Sequence, residues 1–566
     1  MNVKTLPQIT LPAPVLSLLA RDDGAVWAGG VGGVAAYQNG QWTAYVSGLP
    51  LGVVAALASA GQWLFAGGAE GCARSADGGQ SWQPGVISGA PTPISAIIPS
   101  PEFEQDSSLL AATLSGGMLR SENAGQSWTA ANFGLGDFEV TALLWPQADM
   151  VLAGTMNGIY RSPNGGRAWR EAAGAEGQPV AALARLADGT LLAALEGGAL
   201  LVSTNGANWS PLASDLPEEI EPTALHVTDD GGLLLGALDA GVFHSGDGGA
   251  SWTQVLAEGV FALAGAVGVV YAGTGTDLLV SKDGGGTFAV LPRPPLHDLR
   301  HLIAADGRPL VYGRYSGALV YDEGAWHPLT AVSPPLGLLR STPDGALYTS
   351  SMEGLYRWQA NGDWERLIEG PAGYFSQLVM REDGSGWACS HDYQHLLRTQ
   401  DSGANWQASA SPFGVLPLVA LEAAPGVVFG ATFDPRQNSA RMWRSQDGGV
   451  HWQPGAEVRV PWPLVATCAD PVLVALGGMI VVQQGDTWQR GTVSGMSDYL
   501  VRQIVSDGTR LLALTTRGLL QSTDQGLNWS PLVGHDLPPE AMMSLALVEG
   551  VVYVLLVGGQ VACFEG

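Results

Sequence analysis

The sequence predicts an all-β protein built as two tandem seven-bladed β-propellers of four-stranded antiparallel blades. Three observations carry that expectation. A nine-residue turn motif recurs along most of the chain, aromatic residues close successive units at intervals of about 40 residues, and short apolar runs alternate with glycine-rich turns.

The motif is clearest at Arg74–Trp82, RSADGGQSW, which reads Ser-x-Asp-x-Gly-x-x-Trp. Close copies stand at Arg120–Trp128, Arg161–Trp169, His244–Trp252, Val280–Phe288, Arg398–Trp406, Arg444–Trp452 and Gln521–Trp529, with a shorter one at Val202–Trp209. Each has the chemistry of a tight hairpin. The Asp or Asn oxygen accepts from backbone N–H groups further on, the Gly supplies positive φ, and the Ser hydroxyl ties the turn down. The tryptophan then fills space between neighbouring units.

Composition agrees. With 566 residues the chain exceeds one ordinary core, and 78 glycines spread among apolar runs fit a repeat array of short strands. Only 14% of residues are charged, so most strands are expected to be buried on both faces. The closing aromatics are Trp42, Trp82, Trp128, Trp169, Trp209, Trp252, Phe288, Trp326, Trp364, Trp406, Trp452, Trp488 and Trp529. Within a unit, an apolar run such as Val53–Ser59 is followed by a run ending in small residues, such as Trp63–Gly68. A third run leads into the turn, and the aromatic begins the fourth strand. A fourteenth unit starts at Met542–Val548 and continues through Val551–Val557 and Gln560–Phe564, with no fourth strand after it. The segment Val3–Thr10 is surplus at the other end, so it is expected to complete that last blade and remove a free sheet edge. The proline-dense stretch Val290–Leu299 marks the joint. The expected division is 11–292 for the first propeller and 293–566 for the second, its last blade finished by strand 3–10.

The turns resemble the Asp-box, or BNR, repeat found in sialidases, tandem-propeller xyloglucanases, sortilin-type receptors and photosystem II assembly-factor-like proteins. The resemblance implies that Asp77, Asn123, Asn164, Asp247, Asp283, Asp401, Asp447 and Asp524 are structural turn formers on the blade periphery, neither catalysts nor metal ligands. The arginine triad that the resemblance to sialidases would require is not matched, since the first unit offers only Arg21. A xyloglucanase would use an acid and a base carboxylate in an aromatic-lined cleft; that pair cannot be matched to positions here, and most tryptophans are taken by turns.

Net charge is −26, which argues against direct nucleic-acid binding and is compatible with a basic protein partner. The cysteines Cys72, Cys389, Cys468 and Cys563 form no CxxC pair, so neither zinc nor a disulfide framework is suggested, and free thiols fit a reducing compartment. No apolar leader is visible and no run has the length of a membrane span, so a cytoplasmic protein without membrane contact is expected. There is no phosphate loop, GxSxG elbow or HExxH, and no cofactor or metal is expected.

The loops between second and third strands are short and small in the first propeller, such as Gly29–Gly33 and Leu195–Gly198. In the second they are longer and carry Arg314, Tyr315, His391, Tyr393, His395, Phe433, Arg436 and Arg517, with Trp462 and Tyr499 on neighbouring loops. Exposed aromatic and Arg side chains on one face suit an interface. The favoured expectation is a noncatalytic scaffold presenting that face to a protein partner; the alternative is a glycan-binding or glycoside hydrolase protein of the tandem-propeller type.

Overall fold

The computed structural model describes residues 3–7, 9, 13–46, 48–88, 93–313, 316–329, 337–342, 346–358, 363–414, 416–459, 465–469, 471–484, 487–557 and 559–565. Arg314, Tyr315 and Trp462 lie outside the described residues. Among those described, helix is confined to Phe103–Asp106 and the 3-10 turns Gly370–Gly373 and Pro539–Ala541. The rest is short strands and turns. The chain divides into two compact units, Thr10–Asp298 and Leu299–Gly566 with Met1–Ile9.

In the unit Thr10–Asp298 the described strands form seven sheets, each with four strands in sequence order joined by hairpins, and one of them gains Val86–Ile87 as a fifth strand parallel to Ser127–Ala130. The first is Val15–Ala20, Val26–Gly30, Gly33–Gln38 and Gln41–Ala44. The first strand of every sheet packs on the first strand of the next, and Val260–Ala266 packs back on Val15–Ala20, closing a cycle. A closed cycle of four-stranded sheets is a propeller. Sheets then face sheets on both sides, which is why second strands such as Leu109–Thr113 and Leu191–Leu195 are buried along their whole length.

Two local devices make the cycle. First strands carry a bulge just after they begin, for example between Val15 and Ser17, and a hydroxyl there reaches the next sheet. Ser17 Oγ donates to Val54 O (3.3 Å), Ser95 Oγ to Val140 O (2.8 Å) and Thr223 Oγ1 to Val260 O (2.7 Å). The second device is glycine on the second strand. A Cβ on Gly67 would stand 2.5 Å from Ile94 Cγ2, so only glycine lets the next sheet's β-branched residue come this close.

The recurrent turns lie between third and fourth strands. Asp77 Oδ1 accepts from Ser75 Oγ (2.7 Å) and Ser81 N (2.9 Å), and Ser75 Oγ accepts from Gly79 N (2.8 Å). Asn123 repeats the pattern, its Oδ1 accepting from Ser127 N at 2.9 Å. Beyond such a turn the closing aromatic, usually tryptophan, enters the seam between sheets. Trp128 is 1% exposed, packed among Phe65, Ile94 and Leu109, and its indole N–H donates to Gly125 O at 3.1 Å.

The unit Leu299–Gly566 repeats this plan with seven sheets among the described residues, the first strand His301–Ala305 packing on Met542–Val548. Its last sheet takes Lys4–Thr5 as the outermost strand, antiparallel to Val561–Glu565, with Lys4 opposite Cys563 and Thr5 opposite Ala562. Leu6 N donates to Val561 O (2.9 Å) and the Trp326 indole to Pro7 O (3.1 Å). At the closing seam Ser544 Oγ accepts from Leu302 N (3.0 Å) and lies 3.1 Å from Gln503 Oε1, which accepts from Leu545 N (2.8 Å).

Candidate functional site

The second-to-third strand loops of the unit Leu299–Gly566 are mostly self-satisfied turns. In Ser390–His395 the Ser390 hydroxyl donates to Asp392 Oδ1 and accepts from His395 N (3.0 Å), while His391 stacks on Tyr374 with ring centroids 4.1 Å apart. Tyr393 takes a φ of +61° and half-buries its ring against the Cys389, Leu396 and Phe413 cluster. Arg436 is exposed on a tight turn whose Asp434 Oδ1 accepts from Arg436 N (2.8 Å). Arg517 is exposed, and Tyr499 is half-buried beside Val501 and Ile504. Phe433 corrects the expectation of an exposed aromatic. The paired strands Val427–Asp434 and Ser439–Ser445 run on through the segment read as loop, and Phe433 is packed inward, 8% exposed.

The polar feature that stands apart lies on the axis of the same unit. Its first strands line a cavity of about 880 Å³ bordered by Ile303, Leu339, Arg340, Ser341, Val379, Arg381, Asp383 and Glu422. A second cavity of about 390 Å³ shares Ile303, Ser341 and Glu422 and adds Thr467 and Gln503. The first strands of the unit Thr10–Asp298 contain no Asp or Glu at all, so Glu422, in the run LVALEAA, is exceptional.

Glu422 is held in the wall, and loss of water around it pushes its carboxyl above the ordinary value against the opposing pull of Arg340 and of the Thr467 hydroxyl. Thr467 Oγ1 donates to Glu422 Oε1 at 3.3 Å. Arg340 sends one N–H to its own Leu339 carbonyl (3.2 Å) and makes no ion pair among the described residues. Asp383 behaves oppositely to Glu422. The Ser385 hydroxyl and backbone N–H hold its carboxylate below the usual range, and Arg381 Nε stands 3.7 Å away. The two carboxyls of this wall are therefore shifted in opposite directions, Glu422 up by burial and Asp383 down by its hydrogen bonds. Sequence reading passed over these residues because single polar positions inside apolar strands look like strand-end decoration. The available signal was the contrast between first strands of the two units.

The turn residues titrate as turn formers do. Hydrogen bonds from Ser81 and Ser75 draw Asp77 down to about 2, and those from Ser251 and Ser245 draw Asp247 down to about 2. Among the described residues no group of three or more His, Cys, Asp or Glu could hold a metal ion, and no helix is long and apolar enough to cross a membrane.

No family model matches the chain, and no curated protein matches it by sequence. Its fold is similar to that of the GH74 enzyme of Niastella koreensis, at 16% identity and a TM-score of 0.62, covering 99% of each chain. An ancestral GH74 enzyme matches at 14% identity and a TM-score of 0.57, covering 100% of this chain and 99% of its own. The GH74 xyloglucanase of Xanthomonas campestris matches at 16% identity and a TM-score of 0.52 over 100% of both chains. The chain has a β-propeller fold of the tandem kind.

These findings correct two expectations. The noncatalytic scaffold gives way because the structures matching this chain from end to end are GH74 enzymes. The cytoplasmic placement is withdrawn as well, since nothing in the matched GH74 structures supports it. The thiol argument for a reducing compartment fails on physical grounds as well. Burial pushes Cys72 up to about 12 and Cys389 up to about 11, so neither forms the reactive thiolate at neutral pH in any compartment. A match over 49% of this chain, YCF48, was solved bound to D1 peptide, and nothing supports a partner that is basic.

Proposed function

We propose that this chain is a glycan-active protein of the tandem-propeller type, a glycoside hydrolase acting on a β-linked polysaccharide related to xyloglucan. The observation that carries the reading is that three GH74 structures match both units together, over 99% or more of this chain. Within this reading the Ser-x-Asp-x-Gly-x-x-Trp turns are Asp-box repeats, and the seven sheets of each unit are the blades of a seven-bladed ring. Binding without turnover is the second reading. It is favoured by the second-to-third strand turns of the unit Thr10–Asp298, where Gly29–Gly33 and Leu114–Gly117 present no reacting side chain.

The test is incubation of the full chain with xyloglucan, mixed-linkage β-glucan, cellulose and xylan, following release of reducing ends and retention on gels containing each polymer. Turnover of one polymer is expected. Retention without turnover selects the second reading, and neither retention nor turnover refutes both.

A further inference from the structure

We propose that the axial cavity of the unit Leu299–Gly566 is a binding site for a neutral oligosaccharide, held through its hydroxyls by Arg340, Glu422 and Asp383. The inference rests on the glycan reading and adds where a sugar sits and what kind it is.

Four features converge on it. The first is size, since about 880 Å³ falls within the range of cavities that enclose drug-sized ligands. The second is unfilled hydrogen-bonding capacity. Arg340 spends one N–H on its own backbone, and Glu422 receives only the Thr467 hydroxyl among the described residues. A guanidinium has five N–H donors and a carboxyl several acceptor sites, so both retain capacity for a guest. Neighbouring sugar hydroxyls donate and accept at once, matching a wall that mixes fixed donors with fixed acceptors.

The third feature is charge. Arg340 and Arg381 share the lining with Glu382, Asp383 and Glu422, two cations among three carboxyl groups. A lining with cations and anions so nearly balanced gives no net reward to a phosphate or a metal ion. It offers charge-assisted hydrogen bonds to an uncharged polyol, the strong class of such bonds. The fourth is the apolar remainder of the wall, where half-buried Ile303 and exposed Pro425 suit the C–H faces of a pyranose. The first strands of the unit Thr10–Asp298 lack any carboxylate, so the feature is not a by-product of building a ring.

The experiment is calorimetric titration of the full chain with cellobiose, cellotriose and xylobiose, and separately with glucuronate and inorganic phosphate. Arg340→Lys and Glu422→Gln, which keep side-chain volume close to the original, are compared with wild type, and circular dichroism checks that each is folded. One neutral oligosaccharide is expected to bind at one site per chain, and each variant to weaken it by about 10- to 100-fold, the value of a hydrogen bond to a charged group. Unchanged binding in both folded variants overturns the proposal, as does binding of glucuronate or phosphate in preference to the neutral sugars. If polymer retention survives in wild type and both variants while no oligosaccharide titrates, this proposal falls and the glycan reading stands. If wild type neither binds oligosaccharide nor retains or cleaves polymer, the glycan reading itself falls.

Discussion

Replacing Ser544 with alanine tests how the ring of the unit Leu299–Gly566 is shut. The Ser544 hydroxyl accepts the Leu302 N–H at 3.0 Å and has Leu302 O (3.3 Å) and Gln503 Oε1 (3.1 Å) as acceptors for its own hydrogen. Leu302 is 0% exposed, so water cannot replace the lost acceptor. A buried N–H left without a partner costs about 1–3 kcal/mol. At about 1.4 kcal/mol per tenfold, that raises the population of an opened seam by about 5- to 150-fold. Hydrogen–deuterium exchange read by mass spectrometry on peptides covering 301–305 and 542–548 measures this directly. Protection there is expected to fall by that factor, with Val427–Asp434 on another sheet unchanged. A change below about twofold at the seam, or an equal loss on every sheet, would refute the idea that this hydroxyl is the clasp.

Three further predictions follow from other parts of the fold. Trp128→Ala removes a side chain 1% exposed and should destabilise by about 3–5 kcal/mol in chemical denaturation. Gly67→Ala places a Cβ 2.5 Å from Ile94 Cγ2 and should cost about 1–3 kcal/mol, partly recovered by Ile94→Val in a double-mutant cycle. Asp77 is lowered from 3.8 to about 2 by its turn, so its contribution to stability is complete above pH 3.8 and is lost as pH falls through 2. Exchange protection around Ser75–Trp82 should drop across that window and stay flat in Asp77→Asn, as it should around the Asn123 turn, which has nothing to titrate.

Most of the architecture was legible because its determinants are local. Ser75, Asp77, Gly79 and Ser81 make their turn with one another within seven residues, so the pattern survives in one dimension. The sheet cycle was harder to read, because Ser17 meets Val54 and Ser544 meets Leu302 across distances that the intervening chain does not announce. Phe433 was misplaced because the turn-forming residues of Thr432–Arg441 were given weight over alternation, and the hairpin arms in fact continue to Asp434 and Ser439. The axial Glu422 and Arg340 were invisible for a different reason. They lie on separate sheets, and only the fold brings both to one cavity, so the contrast at Glu422 gained meaning only there.

The pairing of Lys4 with Cys563 sets a timetable for biosynthesis. The two residues are separated by 559 positions (563 − 4), which a ribosome translating about 5–20 residues per second crosses in about 30–110 s. Throughout that interval Lys4–Thr5 has no mate, and the Thr10–Asp298 portion can mature while it waits. That sheet is therefore completed between strands made at widely separated times, and its completion is a step that chaperones have a long opportunity to influence.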